Sequence, residues 1–279
     1  MTSPLRHVRL LVLAAAAAGA CSPGEADPSR AEQVGLRLGY EVGDTLHYRY
    51  HVRGRVNRPE TAGGEPATES YERTMNVEEV ATEVTPRGNY LLAWTYRPVE
   101  GEEAGEDEPA GFSLRVEITP QGKIIDVGDL QSARKEFANF DFKTYLDQTQ
   151  PVFPERPLKV GDSWTQEVRV LSPQAEPIVT RSTYVLEDLD ERTAVIAFDG
   201  DVYLPLAFEA DSLTGSPPRT TEERIRLRGR LHYDRPRQIV ARVRTTAQAS
   251  VTTVTMGPEG PSRQNIDLSQ ESELTLVER

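Results

Sequence analysis

Residues 45–53 read Thr-Leu-His-Tyr-Arg-Tyr-His-Val-Arg. Leu46, Tyr48, Tyr50 and Val52 fall on one side of a period of two, and His47, Arg49, His51 and Arg53 on the other. That alternation marks a half-buried β-strand, one face on a core and the other in water. A helix would need its apolar residues every three or four positions. The same period returns along the chain. Tyr90, Leu92, Trp94 and Tyr96 share a face, as do Phe112, Leu114, Val116 and Ile118. Ile225, Leu227, Leu231 and Tyr233 alternate with Arg224, Arg226, Arg228, Arg230 and His232. Ile239, Ala241 and Val243 continue after a turn at Asp234-Arg235-Pro236, and Ile266, Leu268, Leu274 and Leu276 close the chain. Turn-forming clusters at Pro86–Asn89, Pro120–Lys123, Asp188–Arg192 and Gly257–Gly260 separate the runs, which implies hairpins in sequence.

The expected fold class is therefore mainly β: large antiparallel, curved meander sheets or an open half-barrel, spanning 40–279. One segment departs from the period. Across Asp129–Gln148, Leu130, Ala133, Phe137 and Phe140 recur at three to four residues, and Pro151 and Pro154 follow. One or two short helices are expected around 129–148. Val42-Gly43-Asp44-Thr45-Leu46 is echoed by Val160-Gly161-Asp162-Ser163-Trp164. The echo predicts two similar sheet units, 40–127 and 155–279, joined by a helical segment 128–150. They would merge into one sheet or pack as lobes. Arg58–Ser70, acid-rich Val99–Gly111 and Asp211–Thr221 read as loops.

Composition removes several classes. The chain has 279 residues, 37% of them hydrophobic, with 32 basic against 44 acidic residues and a net charge of −12. Mean hydropathy is −0.52. A polytopic membrane protein is excluded, and so is a non-specific coat for nucleic acid. The single cysteine excludes an internal disulfide framework. His47 and His51 on one strand stand about 13 Å apart, too far to share a metal. No nucleophile elbow, zinc-protease or phosphate-loop motif occurs. No cofactor, metal or catalytic residue is expected, and the chain does not read as an enzyme.

The N-terminus carries an address. Arg6 and Arg9 precede an apolar run, Leu10–Ala20, too short to span a bilayer but fit for a signal peptide, 1–20. Ala18-Gly19-Ala20-Cys21 resembles the lipobox of bacterial lipoproteins, with Ala18 where that family usually has Leu. The resemblance implies lipidation of Cys21, a tethered stretch 21–39, and a cell-envelope protein anchored to a membrane through Cys21. Ser22 after the cysteine implies the outer membrane, facing the periplasm or the cell surface. Removing 1–20 takes out two arginines and no acid, so the mature net charge is −14.

Two groups of residues are candidates for binding. Eight arginines and one acid lie between 224 and 244. Arg224, Arg226, Arg228 and Arg230 would point one way from a strand, toward anionic groups, or would pair with acids such as Asp267, Glu271 and Glu273. The inward aromatics Tyr48, Tyr50, Tyr90, Trp94, Phe112 and Trp164 would face an apolar ligand, or simply form the core. The strand opening Gly-Asp-[Ser/Thr], with its lead-in Pro157-Leu158-Lys159, resembles an uncharacterised group of β-rich bacterial lipoproteins. More loosely, the body resembles carriers of the LolA and LolB kind, in which a curved sheet wraps an apolar hollow closed by short helices. That resemblance implies binding or shielding of an apolar or amphipathic ligand, a lipid or a lipidated partner. The rival is a scaffold with a filled core that docks an envelope protein. A hydrolase with a cryptic carboxylate pair stands last.

Overall fold

The alternating runs form strands of one antiparallel sheet. The computed structural model describes residues 32–58, 66–99, 111–131, 141–171, 176–208, 218–257 and 260–278. Among these, eleven strands follow in chain order: β1 (Thr45–Arg58), β2 (Ala67–Val84), β3 (Tyr90–Pro98), β4 (Phe112–Ile118), β5 (Ile124–Gln131), β6 (Ser163–Val170), β7 (Ile178–Leu189), β8 (Thr193–Phe208), β9 (Arg219–Asp234), β10 (Ile239–Gly257) and β11 (Gly260–Glu278). One helix, α1 (Phe142–Thr149), lies between β5 and β6. Among the described residues, no helix is long and apolar enough to cross a membrane.

The strand order is β5-β4-β3-β2-β1-β11-β10-β9-β8-β7-β6. First and last strands thus pair at the centre, Tyr50 opposite Leu274 and Val56 opposite Leu268. The two halves merge into one sheet. Its edges are β5 and β6, the two strands that flank α1 in sequence. An eight-residue helix is only about 12 Å long. Because α1 touches β5 on one side and β6, β7 and β8 on the other, the sheet must curl until both edges approach it. The result is an open half-barrel whose inner face carries the core.

The repeated Gly-Asp turn is reproduced in three dimensions. Gly43 has φ 96° and Gly161 φ 89°, the left-handed region that favours glycine. The Asp44 carboxylate accepts from Glu41 N at 2.9 Å, and the Asp162 carboxylate from Lys159 N at 3.2 Å. Gly43 N donates to Ala81 O and Gly161 N to Leu186 O, both at 2.8 Å. The register slips just beyond each acceptor, after Ala81 in β2–β3 and after Leu186 in β7–β8.

Two expectations need correction. The expected 129–148 segment does hold a short helix, α1, but its first residues are strand: Ile124–Gln131 extends as β5, paired to β4 from Ile118–Ile124 to Ser113–Gln131. Residues 132–140, with Ala133, Phe137 and Phe140, lie outside the described residues. Asp141 caps α1, accepting from Thr144 N at 2.9 Å, and Pro151 follows its end. The second concerns 32–39, expected to be tether. Val34, Leu36 and Leu38 are buried, Val34 pairs with Leu158, and Leu38 N donates to Pro120 O at 2.6 Å. Their own period of two was the overlooked signal. Leu158 and Phe153 are buried alongside, so 34–40 and 150–158 pack together against one end of the half-barrel.

The sheet also splits. β7 stays in register with β8 only as far as Ser182–Gly200, while β6–β7 continues to Val170–Ile178 and β8–β9 to Phe208–Arg219. A Cβ at residue 200 would meet Ser182 Oγ at 2.2 Å, so glycine permits the close approach at the fork. Beyond it, the Tyr203 backbone has lost its strand neighbour. Gln148 of α1 replaces that neighbour: Tyr203 N donates to Gln148 Oε1 at 2.8 Å, and Gln148 Nε2 donates to Tyr203 O at 3.1 Å. Pro205 shares this edge of β8, where its missing N–H costs no ladder bond.

Candidate functional site

A partly open cavity of about 110 Å³ remains between the inner face and α1. Tyr48, Val77, Leu92 and Trp94 line it from one half of the sheet, Tyr184 and Phe198 from the other, and Leu146 from the helix. Their strands place them there because each occupies the inward position of its alternation. The lining also holds an acid, Glu79, between Val77 and Ala81 on the inward face of β2. Burial pushes its carboxyl up to about 7, against the opposing pull of the Tyr40 hydroxyl and the Trp94 indole. Glu79 Oε1 and Trp94 Nε1 are both buried and make no well-aligned hydrogen bond, although the indole and the Tyr40 hydroxyl stand close enough to the carboxyl to pull on it. Unpartnered buried polar atoms are costly, about 1–3 kcal/mol each. A largely apolar cavity that also holds one such donor and one such acceptor, beside the hydroxyls of Tyr40, Tyr48 and Thr149, suits a small ligand group with a polar end. Its size sets a limit. An apolar cavity of about 150 Å³ takes a benzene, and sites for larger ligands hold about 300–1,000 Å³.

The aromatics singled out from sequence are distributed unevenly around it. Tyr48 and Trp94 line the cavity, and Tyr48 donates to Val240 O at 3.0 Å. Tyr50 and Phe112 are core: Tyr50 is 1% exposed, and Phe112 stacks on Tyr96 at 4.5 Å. Trp164 is half-buried on edge strand β6, stacks on Tyr184 at 5.2 Å and donates its indole N–H to Val152 O at 2.9 Å. Tyr90 packs edge-on against Tyr40 at 5.1 Å and donates to Leu38 O.

The arginine stripe does lie on one outward face of β9, and much of its charge is matched. Arg226 and Arg228 share Asp199 of β8, at 3.1 and 2.6 Å. Arg230 bonds Glu187 of β7 at 2.6 Å. Arg224 lies 5.3 Å over the Tyr203 ring, with Glu222 at 3.9 Å. Of the acids named beforehand, Glu273 takes Arg242 and Arg244, Glu271 takes Arg53, and Asp267 takes none. The partners are therefore mostly nearer strands, β7 and β8. Cys21 lies outside the described residues.

Sequence reading missed the two buried acids, Glu79 and Glu223. Glu223 is 1% exposed on the inward face of β9, between Leu204 and Val251 in register, and neither carboxyl oxygen has a partner. Burial alone pushes it up to about 8. The signal was present: each acid sits at an inward position of an alternating strand, Val77-x-Glu79-x-Ala81 and Thr221-x-Glu223-x-Ile225.

Comparison with known proteins adds little chemistry. A family of unknown function, DUF6263, matches residues 130–217, from the end of β5 into the segment after β8 and under a third of the chain. No curated protein matches. Among solved structures, one titled "Lipid-protein interactions in lipovitellin" is similar at 14% identity and a TM-score of 0.41. The match covers 86% of this chain and 26% of that one, so the chain spans about a quarter of its length.

Proposed function

We propose that this chain is an envelope lipoprotein, anchored through Cys21 at the outer membrane, whose half-barrel receives the apolar part of an amphipathic ligand. The observation that carries this reading is the partly open cavity beneath α1, with its aromatic wall and with Glu79 Oε1 and Trp94 Nε1 buried there without a well-aligned hydrogen bond. As it stands, the cavity admits a group no larger than a small ring or the end of a chain. A longer acyl chain enters by displacing α1, whose attachment to β8 runs through the Gln148 amide. A protonated Glu79 donates to a ligand carbonyl or carboxylate, and the Trp94 N–H adds a second donor.

The test is uptake of a fluorescent fatty acid by the chain lacking 1–21. Leu146→Trp fills the cavity from the helix side and is expected to weaken uptake at least tenfold, whereas Leu146→Ala, which enlarges it, preserves uptake. Equal uptake by Leu146→Trp, or none by the parent, contradicts the proposal. The second outcome favours a scaffold with a filled core that docks an envelope protein. The burial of Tyr50 and Phe112 favours that second reading.

A further inference from the structure

Where β7 leaves β8, the outward face of the sheet gains a feature that a continuous convex sheet lacks. An open trough of about 660 Å³ runs across β8, β9, β10 and β11, with Ile178–Thr180 of β7 as one wall. It lies on the opposite face from the cavity and involves none of the cavity residues. Its floor carries two polar register rows, with Val202, Ile225, Ala249 and Leu268 of the row between them also reaching the trough. One reads Asp201–Arg226–Gln248 and the other Tyr203–Arg224–Ser250–Asp267. Neighbours in a row stand one strand apart, about 4.8 Å, and the rows about 6.8 Å apart.

Every side chain of the two polar rows can hydrogen-bond, and several are uncommitted. Among the described residues, Asp201, Gln248, Ser250 and Asp267 make no side-chain hydrogen bond or ion pair. Tyr203 is 2% exposed, and its hydroxyl is buried with no hydrogen-bond partner. Arg224 lies over its ring, held at 3.9 Å by Glu222. The charges nearly cancel: Asp201 and Asp267 face Arg224 and Arg226, and Arg226 is already engaged by Asp199. A polyanion would meet two carboxylates, and a polycation two guanidinium groups. A neutral ligand rich in hydroxyls satisfies the polar groups present, donating to carboxylates and the Gln248 oxygen and accepting from guanidinium and amide N–H groups, and its C–H faces rest on the apolar residues between them.

We propose that this trough binds a neutral, hydroxyl-rich oligosaccharide strand. Arg224 swings off the Tyr203 ring as the ligand enters, and the Tyr203 hydroxyl gains the partner it lacks. The volume falls within the ordinary range for ligand sites, about 300–1,000 Å³.

The experiment is calorimetric titration of the full chain, held in a zwitterionic detergent without a sugar headgroup, with chitohexaose and with maltohexaose. Binding of at least one is expected. Tyr203→Phe keeps the ring and removes only the hydroxyl, and should weaken binding about tenfold. Gln248→Ala, a change at an exposed side chain that leaves the fold intact, should do the same. Glu79→Gln, on the other face, should change nothing, which separates this site from the cavity. Three results overturn the proposal: no binding of either sugar, unchanged affinity in both Tyr203→Phe and Gln248→Ala, or tighter binding of dextran sulfate or spermine than of the sugars.

Discussion

Replacing Glu223 with Gln removes an ionisable group without changing its shape, and the structure fixes how stability must respond. The carboxyl sits at 1% exposure between Leu204 and Val251, with both oxygens unpartnered, and burial raises it from 4.5 to about 8. In the unfolded chain it releases its proton near 4.5, whereas the folded chain keeps it. The folded state therefore binds more protons, and stability falls as pH rises from 4.5 to 8, then levels. Each unit is worth about 1.36 kcal/mol, so pH 7.5 costs the native chain about 4 kcal/mol relative to pH 4.5 through this group. Glu79, raised to about 7, adds a smaller loss of the same sign. Glu223→Gln should match the parent within about 1 kcal/mol at pH 4.5, where the folded carboxyl, like the amide, is neutral. At pH 7.5 it should be more stable by about 4 kcal/mol. Urea unfolding followed by circular dichroism would show a midpoint higher by roughly 1.5–2 M at that pH. Parallel pH profiles for parent and variant would refute the reasoning, because they would mean that Glu223 is hydrated or paired in the folded chain.

Gly43→Ala and Gly161→Ala should each cost about 1–2 kcal/mol in thermal or urea unfolding. Both glycines hold positive φ with open space around the missing Cβ, so the penalty is backbone strain alone and should be nearly equal at the two sites. Gln148→Ala should destabilise by about 1–3 kcal/mol and speed amide exchange at Tyr203, since it strips two backbone groups of their partners. Faster exchange nowhere near the fork would contradict the split sheet. Asp199→Asn should change stability by no more than about 1 kcal/mol, although it serves Arg226 and Arg228, because both pairs are exposed to solvent. A larger loss would show the stripe to be structurally essential.

The sheet was legible because it rests on local periodicity: the alternation of Leu46 to Val52 or Phe112 to Ile118 needs no knowledge of the rest of the chain. The Gly-Asp echo was legible for the same reason, since a left-handed glycine followed by an acid that caps its own turn is a local device. Which strands meet was not legible. Pairing of β1 with β11 joins residues more than two hundred positions apart, and period-two faces fit several orders equally well. The helix boundary was misread because Leu130 is compatible with either period. The cavity depends on how α1 and the curled sheet approach each other, which no window of sequence encodes. The trough depends on Gly200 and on a fork whose cause lies partly in Gln148, some fifty residues away. Glu79 and Glu223 were hidden by the habit of reading acids as solvent-facing, although their parity placed them inside.

Whether the inner face of this half-barrel accommodates a lipid-like molecule is read from native mass spectrometry of the chain purified from its own membranes. A population heavier than the acylated protein by the mass of one amphipathic molecule is expected, absent from Leu146→Trp purified in parallel. A single species at the mass of the acylated protein, identical in both preparations, would contradict it.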